Sequence, residues 1–159
     1  MKRADYVHQL PGLTAAMSQL LTVVESAGLD PLLLELVKIR ASQINGCAYC
    51  LDMHTKDAAA LGETPQRLAL VSAWLEAPCF TARERAALRW CESLTLVAET
   101  GAPESDFEPL AENFTEPEIV ALTLAVVSIN GWNRLAVGLR TPVGGYVSQR
   151  KPGGPTGAR

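Results

Sequence analysis

Two cysteines and a histidine, Cys47, Cys50 and His54, stand at the spacing C-x-x-C-x-x-x-H. On a helix, positions three and four apart share one face, so all three side chains project together. A thiol pair with its own base can form and break a disulfide, and the same three side chains are also ligands of the kind zinc takes. Cys47 falls in or just before the first helical turn, where free amide N–H groups and the positive end of the helix dipole favour a thiolate. A free cysteine titrates near about 8.5, and a C-x-x-C pair at a helix start beside a histidine falls well below that.

The elements that must position this trio are readable on either side of it. Asn45-Gly46 supplies turn chemistry before the cysteines, Asp57-Ala58-Ala59-Ala60-Leu61 favours helix, and Gly62 ends it. Upstream, Asp30 before Pro31 is an N-cap followed by proline at the first helical position, and the apolar run from Leu32 continues to about Ile44. If the two helices form an antiparallel hairpin, a residue about ten before the turn lies level with one about ten after it. Glu35 is thereby placed beside His54 and Thr55. It is the sole acid in Leu32-Leu33-Leu34-Glu35-Leu36-Val37, and a carboxylate among such neighbours is costly unless paired or protonated. Glu35, Cys47, Cys50 and His54 form the candidate constellation.

At these residues the sequence resembles the alkylhydroperoxidase D-like branch of the carboxymuconolactone decarboxylase superfamily. That branch carries a glutamate, a C-x-x-C beginning twelve positions on, and a histidine four beyond the second cysteine; here these are Glu35, Cys47, Cys50 and His54. The stretch Leu36 to Cys47 and the later Ile129-Asn130-Gly131-Trp132-Asn133-Arg134 read the same way, and the resemblance spans roughly residues 15 to 143. It implies a compact multi-helix domain with Cys50 as the thiolate that attacks a hydroperoxide and Cys47 as the thiol that resolves the sulfenic acid to a disulfide. His54 would take the thiol proton, with Glu35 orienting it or relaying protons. It also implies a lipoylated or thioredoxin-like protein as reductant, dimers assembled into a trimer of dimers, and no cofactor. Some members carry a histidine between the cysteines, where this chain has Tyr49.

Length and composition bound the reading. At 159 residues and 48% hydrophobic content, one domain with a real core is expected: residues 1–149, with an extended arm over 1–12 and a disordered tail over 150–159 rich in Gly and Pro. A net charge of −3 with no basic patch argues against a nucleic-acid partner. The start lacks a signal peptide's apolar core, and Ile119 to Ile129, the longest uncharged apolar stretch, is too short to cross a bilayer. A cytoplasmic protein without membrane contact is expected, and its four cysteines are then not a structural disulfide framework.

No segment alternates apolar and polar residues for long, so the fold class is all-α. Thr14 is expected to cap a helix to Ala27, Thr64-Pro65 to open one to about Glu76, and Thr81-Ala82-Arg83-Glu84 to be a capping box opening one to about Ala98. A short helix over Glu104 to Asn113 precedes a second capping box, Thr115-Glu116-Pro117-Glu118, which opens the longest helix, to about Leu139. Ile119 to Ile129 is apolar on nearly every face, which predicts burial all round and, in so small a domain, a homo-oligomer. Cys91 reads as a small buried apolar group, His8 as exposed and idle, and Asn130, Trp132, Asn133 and Arg134 as structural.

Two other functions fit parts of the pattern. A structural zinc on Cys47, Cys50 and His54 would need a fourth ligand, and Cys79 or Cys91 would have to fold back to supply it. The lactone decarboxylase activity that names the superfamily is not defined by a C-x-x-C, so the cysteine pair counts against it.

Overall fold

The computed structural model describes residues 2–151, and every described element is helical. The order is α1 (Tyr6–Gln9), α2 (Leu13–Ser26), α3 (Pro31–Ile44), α4 (Ala48–Ala60), α5 (Pro65–Leu70) with a 3-10 turn at Val71–Ala73, α6 (Ala82–Thr95), α7 (Val97–Thr100), α8 (Glu104–Asn113) and α9 (Glu116–Leu139). Helix α3 is the centre, packed on α4, α6 and α9, while α2 lies along α9.

The helix buried on both sides is α3. Leu33, Leu34, Val37 and Ala41 face one apolar cluster, shared with Cys47, Cys50, Cys91 and the inner face of α9. Leu36 and Ile39 face a second, built with Ala58, Trp74, Phe80 and Leu88. Helix α9 is buried on one side only, with Val120 64% and Val127 56% exposed, so the expectation of burial all round over Ile119 to Ile129 does not hold within the chain. Although α9 is long and apolar enough to cross a bilayer by length and composition, it packs against α2, α3, α4 and α6 as a bundle helix.

Most ends follow the sequence signals. Asp30 accepts from the Leu32 amide ahead of Pro31, and Thr81 and Thr115 each form the reciprocal capping box with Glu84 and Glu118. Gly46 and Gly62 take φ of +64° and +104° in the turns that open and follow α4, a region that costs any other residue. Other ends differ. Asp5 caps a one-turn helix where an extended arm was expected, and Arg3 is tied to the end of α9 through its amide on Leu139 O at 3.0 Å. Gly12, not Thr14, stands at the N-cap of α2. The helix begun at Pro65 tightens to 3-10 at Val71, and α6 breaks at Leu96 before the separate turn of α7.

A polar network joins the turn before Cys47 to α9. Asn45 Nδ2 donates to Asn130 Oδ1 and to Asn133 Oδ1, each at 2.9 Å. Asn133 Nδ2 donates to Ser42 Oγ at 3.0 Å, and Ser42 Oγ to Lys38 O at 2.7 Å. Asn130 and Asn133 thus hold the hairpin by hydrogen bonds between helices, as expected. Replacing the fully buried Asn133 by Ala removes two hydrogen bonds, from Asn45 and to Ser42, and should cost about 1–3 kcal/mol, read by urea unfolding; a loss near zero would show that the turn is held by packing and the remaining bonds.

Candidate active site

The hairpin of α3 and α4 brings the four expected residues together. Cys47 is the N-cap of α4, its sulfur accepting from the Cys50 amide at 3.3 Å. Cys47 and Cys50 are joined as a disulfide with Cα atoms 5.4 Å apart, and both are 1% exposed. The N-cap position of Cys47 does not leave it exposed: the asparagine network ties the turn before α4 to α9 and covers it.

One turn on from Cys50, His54 Nδ1 meets Glu35 Oε2 at 2.7 Å, and both groups are buried. Lys38, one turn along α3, donates from Nζ to Glu35 Oε1 at 2.9 Å and is itself 3% exposed. Burial alone raises the Glu35 carboxyl, but the His54 hydrogen bond and the Lys38 charge outweigh it and hold the group down at about 2. Glu35 is thus an anion over the whole working range, and its hydrogen bond fixes the orientation of the His54 ring.

Cys50 and His54 open onto a cavity of about 350 Å³ whose walls also include Tyr6, Leu21, Lys38, Tyr49, Met53, Ile129 and Trp132. Cys47 does not reach it. The walls are predominantly apolar and aromatic, with Lys38 and His54 as the basic side chains. Ser128 forms part of the wall and its Oγ is buried without a partner. Tyr49 is half-buried between the cysteines, its phenol raised by burial first and then by Tyr6 and Asp52, so it remains protonated and supplies no base.

Lys38 and Asp57 complete the buried charge cluster and were missed by the sequence reading. Lys38 stands i+3 from Glu35, a spacing that could have found it. Asp57 stands i+3 from His54, but its donors, Tyr146 and Ser148, lie in the segment after α9, whose path no periodicity announces. The ligand atoms that gather within 4.8 Å of one another are those of Glu35, His54 and Asp57, with no thiol among them, and each already has a hydrogen-bond partner. Cys91 donates to Val37 O at 3.3 Å inside the core, and burial pushes its thiol up to about 12; it is not a thiolate ligand for Cys47 and Cys50. His8 is exposed and pairs with Asp5.

The profile of the carboxymuconolactone decarboxylase family matches residues 11–93, just over half of the chain. The chain belongs to that family. A relative from Bacillus subtilis, the uncharacterized protein YdfG, is 35% identical over 138 residues, covering 87% of this chain and 94% of its own. A crystal structure from Agrobacterium tumefaciens superposes with a TM-score of 0.87 at 43% identity, covering 91% of this chain and 99% of that one. It is a protein of unknown function whose name proposes an antioxidant-defence role of the AhpD kind. The debrominase Bmp8 shares the fold at a TM-score of 0.75 and 16% identity, covering 87% of this chain and 75% of its own. The all-helical fold is that of the alkylhydroperoxidase D-like branch.

Proposed function

We propose that this chain is a thiol-dependent peroxidase that reduces organic hydroperoxides through Cys47 and Cys50. The observation that carries the reading is a redox-capable Cys50 at the floor of an apolar cavity, one helical turn from a histidine hydrogen-bonded to a buried carboxylate. His54 takes the Cys50 proton, and the thiolate attacks the outer peroxide oxygen. The O–O bond breaks, the alkoxide takes the proton from His54 and leaves as the alcohol, and Cys50 becomes a sulfenic acid. Cys47 then attacks the Cys50 sulfur; its proton leaves with the hydroxyl as water and the disulfide forms. Two thiols have lost two electrons and the peroxide has gained them.

A dithiol on a lipoylated or thioredoxin-like protein is the proposed reductant, reopening the bridge by exchange. The cytoplasm is the proposed compartment, and a homo-oligomer, a trimer of dimers in the family's manner, the proposed assembly; Val120 and Val127 on α9 support a buried face there. The cavity is within the range of small-molecule sites, whereas a water-sized peroxide fills only about 30 Å³. Cumene hydroperoxide should accordingly exceed hydrogen peroxide in kcat/KM by about tenfold, a modest gain for burying a ring in an apolar site.

The deciding test is intact mass of pre-reduced protein after one equivalent of cumene hydroperoxide. A loss of two protons mapping to Cys47 and Cys50 is expected. Unchanged thiols, with stoichiometric zinc by elemental analysis, would overturn the peroxidase reading in favour of a metal-binding one.

A further inference from the structure

Asp57 has no part in the chemistry above, yet it is 5% exposed and its carboxylate lies within 4.8 Å of the facing atoms of Glu35 and His54. Its donors come from the irregular segment after α9. Tyr146 OH stands 2.9 Å and 3.0 Å from the two Asp57 oxygens, and Ser148 Oγ 2.6 Å from Oδ1. The segment is fastened on both sides of these contacts. Lys56 Nζ donates to Tyr146 O at 3.0 Å and the Gly144 amide to Asp52 Oδ2 at 3.3 Å. Beyond them Arg150 pairs with Glu25 at 3.0 Å and stands 3.9 Å from Glu35 Oε1. Residues 144–150 are thus a strap along α4, ending at the catalytic carboxylate; from residue 152 the expected tail lies outside the described residues.

Two buried carboxylates this close repel each other, and neither persists as an anion without dedicated donors. Glu35 has Lys38. Among the described residues, the side-chain donors to Asp57 come from the strap.

We propose that the strap makes Asp57 a second positioning carboxylate of the Cys50 centre: Tyr146 and Ser148 fix it opposite Glu35, and the two carboxylates together set the orientation and surroundings of His54, one helical turn from Cys50. This rests on Cys50 being the reacting thiol. The charged and titratable groups facing the cluster are Glu35 and Lys38 from α3, Tyr146 and Arg150 from the strap, and, across the cavity, Tyr6 and Tyr49. Burial, and then the Asp57 hydrogen bond, push the Tyr146 phenol up to about 12, so it donates at every working pH. Neither Tyr146 nor Ser148 lines the cavity; their side chains meet the cluster at Asp57, while the strap's other contact with it is Arg150 near Glu35, so the Asp57→Asn background separates the two routes.

The test is the pH dependence of Cys50 alkylation by iodoacetamide in the reduced protein, followed by peptide mass so that Cys79 and Cys91 do not contribute. Combining Tyr146→Phe with Ser148→Ala should raise the midpoint by about one pH unit, read at a temperature where circular dichroism shows the variant still folded. Asp57→Asn should raise it as far, and Tyr146→Phe should add nothing in that background. A midpoint unmoved by the strap variants, or equal further shifts on top of Asp57→Asn, overturns the proposal, and Tyr146→Phe alone decides it if Asp57→Asn does not fold. Should Cys50→Ser retain peroxide turnover, the peroxidase assignment of Cys50 falls and the strap proposal with it; an essential Cys50 with an unmoved midpoint sinks the strap alone.

Discussion

Glu35→Gln should destabilise the fold by about 3–5 kcal/mol, because it leaves the Lys38 ammonium buried without its anion. The replacement is nearly isosteric, so the loss is electrostatic rather than a packing defect. Lys38 is 3% exposed and Glu35 Oε1 is its carboxylate partner at 2.9 Å. Glu35→Gln combined with Lys38→Met removes both charges of the pair and should recover part of the loss, since the uncompensated buried ammonium is gone while Gln can still hydrogen-bond His54. Acid titration gives the same contribution a second reading. The carboxyl is held at about 2 in the fold against an ordinary 4.5, a depressed value, so its stabilisation is complete above the unfolded value. It is lost as pH falls from about 4.5 toward about 2, and the difference corresponds to about 3 kcal/mol. Urea unfolding of wild type between pH 7 and pH 2.5 should show this loss, and Glu35→Gln should flatten it. A single-variant cost below about 1 kcal/mol, or a double variant weaker than the single, would sink the account.

How far this site could be read from the sequence depends on the reach of each signal. Glu35 beside His54 follows from counting residues out from Asn45-Gly46, because an antiparallel hairpin fixes register once its turn is known. The caps at Asp30, Thr81 and Thr115 are equally local and equally legible. Burial is a different matter. The run from Ile119 to Ile129 looks more apolar than α3, yet α3 with its Glu, Lys and Ser is the helix enclosed on both sides, since enclosure is decided by which elements pack on a helix. The polar residues of α3 are buried because they satisfy one another and the asparagine network. Cys47 illustrates the same limit: helix position places it at the N-cap, but only Asn45 bonded to α9 explains why it is covered. The strap is the least legible part, since its bonds join residues about ninety positions apart through a segment without periodicity.

Cys50→Ser should abolish peroxide turnover, by at least about a thousandfold for loss of the nucleophile, whereas Cys47→Ser should stop the cycle only after the first chemical step. The N-cap position argues the other way, because Cys47 is nearest the positive end of α4, an advantage of about 0.3–1 kcal/mol for a surface anion. Two observations outweigh it. Cys50 lies on the cavity wall while Cys47 does not, so a peroxide held there meets Cys50 first. His54 shares that wall, one helical turn from Cys50, and is bonded to the Glu35 anion, so the group placed to take the thiol proton serves Cys50. The same enclosure constrains the reductant. With both cysteines 1% exposed, the cavity is the route by which a thiol would reach Cys50. In Cys47→Ser protein one equivalent of cumene hydroperoxide should leave a sulfenic acid on Cys50 that dimedone traps. Cys50→Ser protein should leave Cys47 unlabelled on the same timescale. Faster dimedone labelling of Cys47 in Cys50→Ser than of Cys50 in Cys47→Ser would reverse the order, making Cys47 the attacking thiol and placing His54 at the resolving step.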